Sequence, residues 1–162
     1  MNKTKMSFKI SISLIAICFF LCSPTFSEVG KGKLGLGLNF PGINIRYFFS
    51  KKMSIELKGQ MDRYSNILGL RGYYYFNSDK KYLLFSGIET DFISFDGELS
   101  MGEGFAAELF IGCEHFFAKK LSLQLDLGPA YISLSDNRSS RDVGSFEYVA
   151  NIGINYYIGT KD

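Results

Sequence analysis

The stretch HFFAKKLSLQLDLG, residues 115–128, has two parts. After Lys120 it alternates: Leu121, Leu123, Leu125 and Leu127 are apolar, and Ser122, Gln124 and Asp126 between them are polar. A period of two marks a strand with two unlike faces. Before it, aromatics run into a lysine pair. The same pattern occurs earlier as YFFSKKMSIEL (47–57) and YYFNSDKKYLLFSG (74–87). Each copy reads as a hairpin turn from an even-numbered strand into the next odd one. That puts all three turns on one side of the sheet.

Extending the period-two reading outward gives eight strands, at 33–40, 43–49, 53–62, 66–76, 82–95, 104–117, 121–134 and 147–159. The far-side connections are then PG (41–42), RYS (63–65), DGELSMGE (96–103) and SDNRSSRDVGSF (135–146). One face of these strands is apolar, carrying for example Leu36, Ile45, Leu57, Leu70, Ile88, Leu109, Leu125 and Ile154. The other carries Arg46, Glu56, Lys58, Arg71, Glu89, Asp91, Glu108, Glu114 and Asp126, with glycines between. Strand five mixes Leu83 and Phe85 into this polar face.

Eight such strands close into a barrel in either sense. A soluble lipocalin-like barrel turns the apolar face inward around a ligand, and a membrane barrel turns it outward to lipid. Three features favour the second. Glycines weaken strands and have no use on a wetted face, but they make room in a narrow interior. Aromatics gather at both strand ends: Tyr47, Phe49, Tyr74, Phe76, Phe117 and Tyr156 at one, Phe40, Tyr64, Phe92, Phe105, Tyr131 and Tyr148 at the other. Two such girdles belong to a bilayer. Most strands also have the length of a tilted span. The expected fold is therefore all-β, an eight-stranded antiparallel up-and-down transmembrane β-barrel.

The N-terminus supports export. Lys3, Lys5 and Lys9 precede the apolar run ISISLIAICFFLC (10–22), and SPTFS follows. This is the layout of a secretory signal peptide, and the run is too short for a membrane anchor. Residues 1–27 are expected to be the signal peptide and 28–162 the barrel domain. Without the leader the chain carries 15 basic and 16 acidic residues, so the charge gives no argument for nucleic acid. Cys18 and Cys22 leave with the leader, so Cys113 has no intramolecular disulfide partner.

These features together resemble the small outer-membrane barrels of the OmpA/OmpX type. The sharpest motif is in the last strand. Asn151, Gly153, Tyr156 and Ile158 match the signal that the barrel-assembly machinery reads in that family. Many members end on phenylalanine, whereas here Gly159, Thr160, Lys161 and Asp162 follow. The resemblance implies an outer-membrane location, with lipid and lipopolysaccharide as neighbours.

The residues name no chemistry. His115 is the single histidine, and Phe117 stands where a same-face serine partner would be needed, so it reads as an interfacial histidine. One histidine and one cysteine do not make a zinc site. No cofactor and no enzymatic activity are expected; a narrow channel or a lipid-modifying enzyme is a lesser alternative. The inward charges read as a salt-bridged lumen, because eight strands leave space only for side chains. The polar run 135–146, with Asp136, Arg138, Arg141 and Asp142, reads as a loop open to external contacts.

Overall fold

The computed structural model describes residues 30–77, 82–97, 101–137 and 141–159, without the side chains of 141 and 142. The expected leader and the lysine turn at 78–81 lie outside these. The chain forms β1 (Leu34–Asn39), β2 (Gly42–Phe48), β3 (Met53–Met61), β4 (Ser65–Tyr75), β5 (Tyr82–Asp96), β6 (Met101–Ala118), β7 (Leu121–Asp136) and β8 (Arg141–Ile158). Each strand pairs antiparallel with its chain neighbour, and β1 pairs with β8 to close the barrel.

The register fixes the shape. From Leu38 the pairing passes Ile43, Gly59, Leu68, Phe92, Phe105 and Ser133 and reaches β8 at Gly144. The β8 residue that pairs with Leu38 directly is Ile154, ten positions away. A stagger of ten over eight strands corresponds to a tilt of about 40° and a backbone radius of about 8 Å. Such an interior has room for side chains or for one small ligand.

Alternation then sorts the side chains. Leu36, Ile45, Leu57, Leu70, Ile88, Leu125 and Ile152 lie exposed on the outside. Arg46, Glu56, Arg71, Glu89, Glu114 and Asp126 are buried inside. Of the expected girdle aromatics, all except Phe117 lie exposed on the outer face, but Phe92, Phe105, Tyr131 and Tyr148 stand inside their long strands and not at the ends. Phe117 instead sits at a register shift between Phe116 and Ala118.

The far side departs from the sequence expectation. β6 begins at Met101 and β8 at Arg141, so most of the two connections expected there is strand. Asp136 ends β7 and pairs in register with Arg141, and Ser135 pairs with Asp142. The expected external loop is therefore the upper end of a hairpin; Arg138 lies outside the described residues. The barrel wall is uneven as a result. β1 and β2 have 6 and 7 residues, while β6 and β8 have 18 each.

Candidate functional site

The lumen is the chemically dense part of the molecule. One row of paired residues crosses five strands: Arg46, Glu56, Arg71, Glu89 and Glu108. Charge alternates along it until the last step, where two carboxylates stand side by side. Opposite charges on neighbouring strands stabilise a sheet and like charges destabilise it.

Arg46 anchors the lower half, the half nearer the short lysine turns. Its Nε and Nη2 donate to Glu56 Oε2 at 2.8 and 2.5 Å. Nη1 donates to the hydroxyls of Tyr75 and Tyr157 at 2.9 and 3.2 Å, and Nη2 to Tyr73 at 2.9 Å. Glu114 lies 3.3 Å from Nη1 and also accepts from Tyr75, Tyr157 and Ser122. Glu56 accepts further bonds from Asn44 at 2.7 Å and Tyr73 at 3.0 Å. Dense donation of this kind lets buried charge persist without water.

Arg71 ties the next tier. Its Nη2 donates to Asp126 Oδ1 at 2.7 Å, and Asp126 also accepts from Gln124 and Asn151. Its Nε lies 2.8 Å from Glu89 Oε2, an ion contact without hydrogen-bond alignment. The guanidinium also lies 4.2 Å from the Phe110 ring centroid. Lys58 binds Glu89 and lies 3.8 Å from Asp91. Glu89 Oε2, Asp91 Oδ1 and Glu108 Oε1 have no hydrogen-bond donor among the described residues, and Glu108, 6% exposed, is the one of the three without an ion pair there.

A mainly aromatic cluster closes the bottom of the lumen, and of its members the sequence reading placed only Leu83 and Phe85 on the inward face. Phe48, Tyr73, Tyr75, Leu83, Phe85, Phe110, Phe116 and Tyr157 form one buried cluster. Parity is the signal that finds them. Phe48 shares a face with Arg46, Tyr73 and Tyr75 with Arg71, Phe85 with Glu89, and Tyr157 with Asn155. Glycine leaves the space they need: a Cβ on Gly112 would meet the Phe85 ring, the Leu125 carbonyl and Asp126 Cβ.

The remaining candidates fall elsewhere. Asn151 and Gly153 of the last-strand motif point inward, while Tyr156 and Ile158 are exposed outside. His115, expected at an open interface, is only 7% exposed because the Tyr82 ring stacks on it at 4.8 Å. Cys113 is half-buried and free.

No protein-family model matches the chain, and no curated protein matches it. Among solved structures it is similar to the N-terminal β-barrel domain of Pseudomonas aeruginosa OprF. That match has a TM-score of 0.49 and 16% identity, and covers 78% of this chain and 94% of that one. The fold is a closed eight-stranded antiparallel up-and-down barrel. Closure of eight strands in sequence order defines it.

Proposed function

We propose that the chain is an outer-membrane β-barrel with a structural or surface-interaction role, no enzymatic activity and a lower lumen sealed by its own ion pairs. The observation that carries this reading is the inversion of the usual soluble protein. Arg46 and Arg71 are 1% and 0% exposed inside, while Leu125 and Ile152 are 54% and 50% exposed outside. An apolar outer band of this extent has no stable home in water. A closed barrel satisfies its backbone in lipid. The same inversion argues against a lipocalin-like arrangement, whose apolar face would line the cavity.

On this reading the outer band meets lipid and the far rim meets lipopolysaccharide. The assembly machinery engages β8 through Asn151, Gly153, Tyr156 and Ile158. Membrane fractionation with heat-modifiable gel migration tests the location. The protein is expected in the outer-membrane fraction, running faster unheated; recovery as a soluble protein overturns the proposal. In planar bilayers no large, steady conductance is expected. A porin-sized open state would refute the sealed lumen and move transport ahead.

A further inference from the structure

The upper lumen differs from the lower, and the wall beside it is incomplete. The last β1–β8 pair is Asn39 with Gly153, and the Phe40 N–H then donates to the Ile152 carbonyl at 3.0 Å. Above that point β8 runs on to Arg141 with no β1 partner beside it. Tyr148, 86% exposed on the outer face of β8, stands four residues above Ile152. On a strand tilted by about 40° each residue rises about 2.5 Å, so the β1–β2 hairpin, and with it Phe40 of the expected upper girdle, ends about 10 Å below the level of Tyr148. In a bilayer that depth is hydrocarbon. Unpaired strand edge is tolerated there only where it lines a cavity.

A cavity of about 930 Å³ does lie over the hairpin. Its lining comes from both faces of the barrel: Leu38, Ile43 and Ile154 from outside, Gln60, Ile67 and Gly153 from inside. Behind it the upper lumen is mostly apolar, with Gln60, Ser145, Glu147 and Asn151 on the same inward parity. Ile67, Ile93, Phe95, Ala106, Ile132 and Val149 continue the inward parity above the charged tiers. At the floor of this sleeve stand Glu89, Asp91 and Glu108; Lys58 and Arg71 both pair with Glu89, Lys58 also lies near Asp91, and Glu108 has no ion-pair partner among the described residues. In an eight-stranded barrel β6, which carries Glu108, faces β2 across the lumen.

We propose that this notch admits a single-chain amphiphile with an amine head from the bilayer, its tail along the sleeve and its head on Glu108. The apolar lining selects the tail, and the excess of carboxylates with the undonated Glu108 Oε1 selects the cation. The inference rests on the outer-membrane reading, and its test separates the two. Protein folded in lipid nanodiscs is titrated with dodecylamine or dodecanoate while the methyl signals of Ile67, Ile93 and Ile132 are followed by NMR, with Ile88 as the lipid-facing control. Dodecylamine should shift the three inner methyls saturably and dodecanoate should not. Glu108→Gln should weaken the amine about ten-fold, the worth of one charge-assisted hydrogen bond. Ile67→Trp, which narrows the inner lip and leaves the acids in place, should abolish the shift at Ile93. No saturable amine shift, equal response to dodecanoate, or an unchanged affinity in Glu108→Gln overturns the notch. Failure to enter nanodiscs as a heat-modifiable species instead overturns the membrane reading.

Discussion

The two halves of the lumen solve the same problem in opposite ways. In the lower half each of the ionic side chains Arg46, Glu56 and Glu114 has several partners, and aromatic rings exclude water around them. In the upper half apolar residues enter the interior, the wall drops at β1–β2, and Glu108 stands beside Glu89 with no ion-pair partner among the described residues. Fully paired buried charge rigidifies a core, and partly paired charge is retained at a cost. The lower half thus reads as stability and the upper half as function, and substitutions can test that division.

The largest effect should come from the lower half. Arg46→Ala strands Glu56 and Glu114 in a dry interior. Breaking a buried ionic network by removing one partner costs about 3–5 kcal/mol. Urea unfolding in detergent should show a loss of that size or no folded species. Arg63→Ala, at an exposed arginine lying over Tyr64, should change little. Equal losses in the two variants would mean that the lower network is not the stabilising element.

The outer face ranks next. On the outer-membrane reading, Leu125→Arg, at an outward-facing position in mid-strand, should cost about 2–4 kcal/mol and slow insertion. Gln124→Arg would disturb the lumen instead, so Gln124→Ala is the cleaner partner substitution and should be milder. Labelling of cysteines placed at 125 and 152 by a water-soluble thiol reagent in intact membranes would contradict the lipid-facing assignment.

How far the sequence shows this division depends on what lies outside each strand. Where the outer face is apolar and the inner face charged, alternation is strict, and parity alone sorts Leu125 from Gln124 and Ile45 from Arg46. Above the aromatic rim the outside no longer needs apolar residues. There Arg141–Phe146 reads as a polar loop although it is strand. The sleeve has the reverse difficulty: at Phe92–Ile93 and Tyr131–Ile132 both faces are apolar, so the period fades. Aromatic runs such as Tyr73–Phe76 carry both parities, which puts girdle and core residues side by side in the chain. Register is absent from parity altogether. Nothing in the spacing of Arg46, Glu56, Arg71, Glu89 and Glu108 places them in one row.

A smaller effect tests how tightly the lower half is filled. Gly112→Ala places a methyl against the Phe85 ring and the Leu125 carbonyl. Overpacking of this kind costs about 1–3 kcal/mol. The same change at Gly59, where an added Cβ meets nothing nearby, should be close to neutral. A measured order of Gly59 above Gly112 in cost would show that the lower lumen is looser than its rings suggest.

The smallest change is also the sharpest between the halves. Glu56 and Glu108 belong to the same row of the sheet, two strands and one strand from Glu89. Glu56→Gln removes the charge that Arg46 and Arg71 share, so it should destabilise. Glu108→Gln removes a like charge directly opposite Glu89 and supplies an amide N–H that can donate to it. Like charges in that position cost about 0.2–1 kcal/mol, so Glu108→Gln should stabilise the barrel by up to about that amount. A residue whose removal stabilises the fold is not there for the fold, and that fits a side chain kept for a ligand. If Glu108→Gln destabilises as much as Glu56→Gln in the same urea titration, the two halves are one network and the comparison fails.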